Sequence, residues 1–259
     1  MSGTLTIVGT PIGNLGDFSP RAVQALEETD FIAAEDTRVT LRLLNHFGIK
    51  KPLVSYYEHN KRERGEQICA RIESGENCVL VSDAGMPAIS DPGEELVAQC
   101  AERGIPVLAV PGPSAVVTAL ALSGLPTGRF TFEGFLSVNK KSRREHLAQL
   151  TDERRTMVFY EAPHKLPTTL RDLYEALGDR RIALARELTK VHEEVQRTTL
   201  REAAARYADG GARGEFVLVV EGAPEPEQEE TVSIEDAARA VRELAEREGV
   251  SLSEAARRV

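Results

Sequence analysis

The sequence predicts an α/β protein whose first half contains a largely parallel sheet, and three observations support this. Short apolar runs rich in β-branched residues alternate with longer stretches of helical periodicity. The run at 78–83 is apolar at nearly every position, as expected of a strand buried on both faces. The helical stretches end at Gly48, Gly75, Gly104 and Gly124, because glycine readily adopts the left-handed conformation that closes a helix.

The elements of the first half follow in regular order. A β-branched run at 4–8 ends in glycine, and Ser19 and Pro20 then supply an N-cap and a first helical residue. Later strands are predicted at 31–36, 52–57, 78–83 and 106–110. Helices are predicted at 37–47, 60–74, 93–103 and 114–123. This alternation predicts a first domain over residues 1–124.

A second domain is predicted after the Gly- and Pro-containing stretch 124–128. It contains more strand and fewer long helices than the first half, which favours a mixed sheet over residues 125–222. The strands are predicted at 129–136, 156–162, 181–188, 193–200 and 215–222. Helices are predicted near 142–150 and at 165–177, with a short helix before the last strand.

The last part of the chain predicts a small helical tail. Residues 223–230 form an acidic, Pro-containing linker. An amphipathic helix then ends at Gly249, and Ser251 or Ser253 caps a further helix. The sequence stops about two turns later, so residues 231–259 are predicted to be a partial helical appendage.

Composition and charge exclude several classes of protein. The 259 residues are 41% hydrophobic and 28% charged, as in globular domains, and the formal net charge of −9 disfavours a nonspecific nucleic-acid binder. Neither an apolar run of about 20 residues nor a secretory signal pattern occurs, so no membrane span is expected. Three widely spaced cysteines without a metal-binding pattern predict reduced core thiols, no metal site and a cytoplasmic location.

Basic residues are concentrated in two regions despite the negative net charge. Residues 38–71 contain eight Lys or Arg and three Glu, a local charge of +5. A second cluster consists of Lys140, Lys141, Arg143 and Arg144. Each region is either a phosphate-binding patch or the solvated face of a helix, and charge alone favours the solvated face.

Four loops follow predicted strands, where open α/β sheets bind their ligands. They are GTPIGNLGD (9–17), AAEDTRVT (33–40), SDAGMPAISDPG (82–93) and VPGPSAVVTAL (110–120). The first lacks both the dinucleotide-binding and the P-loop glycine patterns. The third is much longer and richer in special residues than a connection requires. The second loop also contains a candidate helix cap, Asp36 or Thr37, and the fourth loop contains another, Ser114.

Two further loops, FYEAPHK (159–165) and ARELTKVHEE (185–194), place charged residues after strands of the second half. No HExxH pattern, Ser/His/Asp spacing or CxxC pair is present. Hydrolase and metalloenzyme functions therefore have no sequence support.

Taken in order over residues 9–222, these motifs together with FEGFL and GEFVLVVEG resemble the tetrapyrrole methylase superfamily. SDAGMPAISDPG, EDTR and EAPHK resemble the branch that methylates ribosomal RNA, whereas precorrin methylases have a shorter Gly-Asp-Pro loop. The resemblance implies a two-domain α/β fold, S-adenosyl-L-methionine as methyl donor and a homodimer. It also implies methylation of the ribose 2′-hydroxyl of a cytidine in the decoding centre of 16S rRNA, in the small ribosomal subunit.

The resemblance further implies where the methyl donor binds. The expected contacts come from the first, third and fourth loops and from the second domain. They are Gly9, Pro11, Ile12, Asp83, Ala84, Gly85, Ala88, Ile89, Ser114, Ala115, Glu161 and Ala162. Small residues allow the donor to approach the backbone, and Asp83 can accept a hydrogen bond from it.

Candidate catalytic groups are those placed at strand ends. Glu35, Asp36 and Glu187 are carboxylates suited to accept the hydroxyl proton, and Arg38, Arg186 and Lys190 are suited to hold flanking phosphates. With an RNA substrate, the basic regions become candidate RNA-binding residues. These are Lys61, Arg62, Arg64, Lys140, Lys141, Arg143 and Arg144.

Two alternatives remain open from the sequence. One is a precorrin-type methylase of small molecules, which would need neither the basic region nor the tail. The other is a non-catalytic nucleotide- or RNA-binding α/β protein, which would need only one specialised loop. Micromolar binding of S-adenosyl-L-methionine would separate the methylases from the binder. An NAD oxidoreductase is disfavoured by the missing glycine pattern.

Overall fold

A computed structural model describes residues 2–225 and 234–258. The chain divides into two compact units, Met1–Ala223 and Pro224–Val259. Both sheets lie in the first unit. Of the predicted acidic linker, positions 226–230 lie outside the described residues, as do positions 231–233 of the predicted appendage.

The first sheet is wholly parallel, in the order β3-β2-β4-β1-β5, which confirms the predicted fold class. Its strands are β1 (Leu5–Val8), β2 (Phe31–Ala34), β3 (Leu53–Ser55), β4 (Cys78–Val81) and β5 (Val107–Val110). The helices between and after them are α1 (Pro20–Glu28), α2 (Thr37–Phe47), α3 (Lys61–Glu73), α4 (Gly93–Glu102) and α5 (Ala115–Ser123). β2 is shorter than predicted, so Glu35 and Asp36 lie in the loop beyond its carboxyl end.

Local sequence signals account for most helix boundaries in this half. The Ser19 hydroxyl accepts a hydrogen bond from the Ala22 amide, with Pro20 as the first helical residue. Asp36, rather than Thr37, caps α2 by accepting from the Arg38 amide. Ser114 occupies the N-cap position of α5, but within the described part of the chain its side chain makes no capping bond. Gly124 closes α5 with φ 75°.

The second sheet is mixed, in the order β6-β7-β10-β8-β9, as predicted. β6 (Phe130–Phe135) pairs parallel with β7 (Thr156–Glu161), whereas β8 (Arg181–Arg186), β9 (Glu194–Thr199) and β10 (Phe216–Val220) pair antiparallel. Its helices are α6 (Lys140–Gln149), α7 (Leu166–Leu177) and α8 (Leu200–Arg206). α6 begins before the predicted 142–150 because Asn139 accepts hydrogen bonds from two amides of the first turn.

Each sheet is covered by apolar clusters on both faces. Val116, Ala119 and Leu120 of α5 pack against β7, β8 and β10 of the second sheet. The last helix of the predicted first domain thus shares a core with the second sheet. The boundary after Gly124 stays a prediction.

The second unit contains two described helices, α9 (Ile234–Glu248) and α10 (Leu252–Ala255). Ser251, the first of the two predicted caps, accepts a hydrogen bond from the Glu254 amide at 3.2 Å. Gly249 lies between the helices with φ 65°. In the described residues, no helix is long and apolar enough to cross a membrane.

The three cysteines are free thiols buried in the first sheet's half. The sulfur atoms of Cys69 and Cys100 lie 3.7 Å apart between α3 and α4. Burial raises the pKa of Cys78 to about 12, so it stays a thiol at neutral pH.

Candidate active site

A cleft of about 640 Å³ lies between the carboxyl ends of the first sheet and the strands of the second. β1 and the central strand β4 are neighbours in this sheet, and the chain leaves β1 towards β2 but leaves β4 towards β5, in the opposite direction. Open α/β sheets bind ligands at such a switch point. Twelve of the eighteen predicted donor-binding and catalytic residues line the cleft. They are Ile12, Glu35, Asp83, Ala84, Gly85, Ile89, Ser114, Ala115, Glu161, Ala162, Glu187 and Lys190.

The loop between β4 and α4, residues 82–93, is joined to the first loop by backbone hydrogen bonds. Thr10 and Gly85 exchange two such bonds, of 2.9 and 3.1 Å. The Thr10 hydroxyl also donates to the Ser82 carbonyl at 3.1 Å. Gly85 has φ 86°, a conformation that a larger side chain would strain. The pairing holds one wall of the cleft in place.

The same loop stores backbone strain next to the cleft. Ala88 and Ser90 adopt left-handed conformations, with φ 68° and 65°. The Asp91 carboxylate counteracts the strain by accepting from the amides of Ala88 at 3.0 Å and Gly93 at 2.7 Å. Strained non-glycine residues persist where surrounding contacts fix them, commonly at functional sites.

Gly9, Pro11 and Ala88 do not line the cleft, which differs from their predicted contact with the donor. Pro11 lines a neighbouring cavity instead. A Cβ atom on Gly9 would lie 2.7 Å from the Cα atom of Gly112 and 2.7 Å from Met86 Sδ. Gly9 is therefore required for close packing of the first and fourth loops. Met86, which sequence reasoning missed, lines the cleft in its place.

Glu35, Asp36 and Asp83 are linked through backbone amides. The Asp83 amide donates to Glu35 Oε2 at 3.4 Å, and the Asp36 amide donates to Asp83 Oδ1 at 3.0 Å. Burial and the neighbouring Asp83 raise the pKa of Glu35. Burial, with Asp36 nearby, also raises the pKa of Asp83. Both carboxyl groups thus bind protons more readily than usual.

Asp36 and Arg38 lie outside the cleft and pair with each other. Arg38 Nη2 lies 2.6 Å from Asp36 Oδ2, and hydrogen bonds from Arg38 lower the pKa of Asp36 to about 2. A carboxylate of such low proton affinity, already capping α2, is a poor base. Of the two candidate bases that follow β2, Glu35 is therefore the one that lines the cleft.

On the opposite wall, Lys190 bridges two carboxylates. Its Nζ atom lies 3.0 Å from Glu187 Oε1 and 3.1 Å from Glu215 Oε2. The hydrogen bond from Lys190 lowers the pKa of Glu187. Glu187 and Thr189 are left-handed, with φ 52° and 65°. This loop is a second strained segment at the cleft.

Glu161 belongs to a buried polar network behind the cleft. Its Oε1 atom accepts from the Ala162 amide at 2.8 Å, and its Oε2 atom accepts from the Thr169 hydroxyl. Arg143 donates to the same hydroxyl at 3.2 Å. Arg143 Nε also lies 2.8 Å from Asp172 Oδ2, although not aligned as a hydrogen bond.

This network corrects the prediction for Arg143. The residue is 8% exposed because α6 packs its guanidinium against α7. Its partners Thr169 and Asp172 occupy it, so it is not available to bind RNA at the surface. It contacts Thr169, whose hydroxyl in turn donates to Glu161.

The other predicted basic residues lie at the surface. Lys140, Lys141 and Arg144 are exposed on α6. On α3, Arg62 is exposed, whereas Arg64 donates to Gln67 and Lys61 pairs with Glu58 and Glu95. The charge of Lys61 is therefore partly neutralised.

Sequence reasoning also missed part of the cleft lining. Tyr160 and Phe135 are the aromatic pair of this wall, with ring centroids 5.4 Å apart. Tyr160 lies in the FYEAPHK loop and Phe135 in the FEGFL motif, and their aromatic rings are the signal in the sequence that could have identified them. The missed residues are Ser82, Met86, Ser90, Asp91, Phe135, Tyr160, Pro163, Ala185, Leu188, Glu215, Phe216 and Val217.

The lining is strongly acidic. Among the described residues of the cleft, six carboxyl groups face one ammonium group, that of Lys190. The carboxyl groups are those of Glu35, Asp83, Asp91, Glu161, Glu187 and Glu215. Such a site attracts a cationic ligand and repels a polyphosphate.

The fold and this site define a methylase class. Residues 4–204 match the family described as Tetrapyrrole (Corrin/Porphyrin) Methylases, and the chain belongs to that family. This confirms the resemblance seen in the motifs. A solved uroporphyrin-III-C-methyltransferase from Thermus thermophilus has a TM-score of 0.60 at 20% identity, covering 85% of this chain and 94% of that one. A diphthine synthase structure has a TM-score of 0.62 at 16% identity, covering 85% and 90%. These likenesses show the fold.

More similar relatives point to one branch of the family. A Synechocystis protein called ribosomal RNA small subunit methyltransferase I is 48% identical over 258 residues, covering 99% of this chain and 92% of the relative. The Thermotoga maritima protein of the same name is 49% identical over 220 residues, covering 85% of this chain and 99% of its own length.

Proposed function

We propose that this chain is an S-adenosyl-L-methionine-dependent methyltransferase of small-subunit rRNA. We further propose that its target is the ribose 2′-hydroxyl of a cytidine in the decoding centre of 16S rRNA. The observation that most directly supports S-adenosyl-L-methionine as the methyl donor is the acidic cleft at the switch point of a methylase fold. The substrate is supported by the shared name of relatives that cover most of the chain.

The residues of the cleft fit the proposed donor. S-adenosyl-L-methionine carries a sulfonium and an ammonium against one carboxylate, so the excess of carboxyl groups complements its charge. Ala84, Gly85, Ala115 and Ala162 leave room for the ligand to approach the backbone. The volume of about 640 Å³ is within the range of about 300–1,000 Å³ typical of ligand pockets.

When bound, the donor supplies a methyl group already activated on sulfur. The task of the chain is to align the acceptor hydroxyl and to receive its proton. In that transfer the hydroxyl oxygen would take the methyl carbon as the carbon–sulfur bond breaks, and the electron pair would stay on sulfur. The proton goes to a carboxylate of the cleft. Glu35 is the candidate, because it faces the cleft and its pKa is raised.

The two walls of the cleft have different proposed roles. Lys190, the ammonium group among the described lining residues, suits the carboxylate of the donor. Glu187 and Glu215 hold it in place. Asp36 and Arg38 lie behind the opposite wall. The Asp36 carboxylate caps the start of α2 by accepting from the Arg38 amide, and the Asp36 amide donates a hydrogen bond to Asp83.

The proposal places RNA outside the acidic cleft. The basic residues at the surface of α3 and α6 are its proposed contacts, without Arg143. They are Lys61, Arg62, Arg64, Lys140, Lys141 and Arg144. A cytoplasmic location and a homodimer are also part of the proposal, and sedimentation equilibrium of the purified chain tests the dimer.

The decisive experiment is methyl transfer from radiolabelled S-adenosyl-L-methionine to unmodified small ribosomal subunits, with the labelled nucleotide mapped by mass spectrometry. We expect label on the 2′-oxygen of a decoding-centre cytidine. Donor binding without label on subunits or free rRNA would contradict the rRNA substrate and favour a small-molecule methylase. Absence of donor binding would contradict the methyltransferase itself.

A further inference from the structure

A second cavity of about 320 Å³ opens beside the cleft. It lies between the first loop and α2, and Ser82 and Asp83 line both cavities. A single stretch of the 82–93 loop therefore separates them. Its described lining is Thr10, Pro11, Leu15, Val39, Thr40, Arg42, Leu43, His46, Ser82 and Asp83.

The cavity combines exposed apolar walls with hydroxyl groups. Leu15 and Val39 are 44% and 37% exposed and line the same cavity, so their apolar surface is contiguous and not scattered. With Leu43 they form walls on which a flat aromatic ring can pack. The Thr40 hydroxyl and the Asp83 carboxylate lie among the polar groups of the same cavity.

The described lining of this cavity is far less acidic than that of the cleft, because it contains the Arg42 guanidinium and a single carboxyl group, that of Asp83. Arg42 and His46 are exposed on α2 and line the cavity, and Arg38 lies on the same helix. A ligand with an anionic group is therefore favoured here, whereas the neighbouring cleft favours a cation. A ligand with a flat ring, polar groups at the edges of that ring and an anionic group would fit these features, and a nucleotide has all three.

We propose that the second cavity is the subsite for the target nucleotide of the RNA substrate. This inference rests on the proposed function. The base packs on Leu15 and Val39, a phosphate lies at Arg42, and the ribose faces the cleft across Asp83. A cavity of about 320 Å³ suits one nucleotide removed from its stack and not a tetrapyrrole ring.

The test compares variants of the cavity with matched variants outside it. The cavity variants are the double change Leu15→Ala with Val39→Ala, and the single change Arg42→Ala. Leu41→Ala is the aliphatic control, because Leu41 is 49% exposed on the same helix but is absent from the described lining of either cavity. Arg21→Ala on α1 is the charge control.

We expect both cavity variants to raise the KM for small subunits by about 5-fold to 100-fold, the usual cost of losing a base-stacking surface. The Kd for S-adenosyl-L-methionine and the melting temperature stay as in the unchanged protein. Arg42→Lys restores most of the affinity, because the phosphate requires charge. Both controls behave like the unchanged protein.

Two results would overturn the inference. One is a KM of the cavity variants equal to that of the controls. The other is a parallel loss of donor affinity, which would assign the cavity to the donor. If the unchanged protein itself transfers no methyl group to subunits, the proposed function fails, and the inference about its substrate fails with it.

Discussion

The buried network behind the cleft leads to a prediction about Thr169. Its side chain is fully buried on α7, where the hydroxyl donates to Glu161 and accepts from Arg143. Thr169→Val removes this hydroxyl and nearly preserves the shape of the side chain. A buried carboxyl oxygen and a buried guanidinium nitrogen then lose a partner.

The size of the effect follows from burial. Glu161 is 4% exposed and Arg143 is 8% exposed, so water cannot readily replace the lost hydroxyl. Leaving a buried polar group unsatisfied costs about 1–3 kcal/mol, and more when it is charged, so we expect a loss of about 2–4 kcal/mol. For a unit of this size, that lowers the melting temperature by about 5–12 °C.

The assay is thermal unfolding followed by circular dichroism, with calorimetric titration of S-adenosyl-L-methionine. Donor affinity also falls, because Glu161 lines the cleft and loses one of its two hydrogen bonds. The control is Thr131→Val, since the buried Thr131 hydroxyl has no hydrogen-bond partner among the described residues. If the two variants melt at the same temperature, the network does not stabilise the fold and the reasoning is refuted.

Three further changes are predicted. Glu35→Gln increases stability at neutral pH and not in acid. Burial and Asp83 raise the pKa of Glu35 in the folded state above its usual 4.5, so ionisation of Glu35 costs stability as the pH rises through that pKa. Melting curves at both pH values check this. Gly112→Ala lowers stability by about 1–3 kcal/mol in denaturant titrations, because its Cβ atom would lie 2.8 Å from the Gly9 Cα atom. Changing Lys61, Arg62 and Arg64 of α3 together to alanine makes subunit binding less dependent on salt. The slope of log K against log salt concentration falls by about two in magnitude and not by three, because Lys61 is already paired.

Each of these predictions has a result that contradicts it. If Glu35→Gln changed the stability of the protein by the same amount at both pH values, Glu35 would have an ordinary pKa. Gly128→Ala is the control for Gly112, because nothing lies within 4 Å of its Cβ position. Equal stability of the two alanine variants would remove the packing argument. An unchanged salt slope would exclude the α3 surface as an RNA contact.

Much of the fold could be predicted because its signals are local. The apolar run at 78–83 marked a buried strand, and Gly48 and Gly124 ended their helices as expected. The start of α6 was missed because its cap, Asn139, precedes the basic residues that dominate the segment. The packing of α5 on the second sheet was also beyond the sequence, since α5 is apolar on all sides and shows no preferred face.

The candidate site was predictable as a set of loops and less so residue by residue. Parallel strands bring their carboxyl ends to one edge, so the loops at 9–17, 33–40, 82–93 and 110–120 had to meet. Which side chains face the cleft depends on how those loops pack on one another. Gly9 is buried against Gly112 for this reason, although its neighbourhood in the sequence suggested a ligand contact.

By itself, the sequence determined the order of strands and helices, the family and the chemical character of the loops, because these depend on local propensity and on motifs. Only the tertiary structure decided that Arg143 is buried and Arg144 exposed, two neighbours that look alike in the sequence. It also placed an acidic cavity and a second cavity with an arginine in its lining on either side of Asp83. Burial, and the proton affinity that follows from it, are set by residues far apart along the chain that the fold brings into contact.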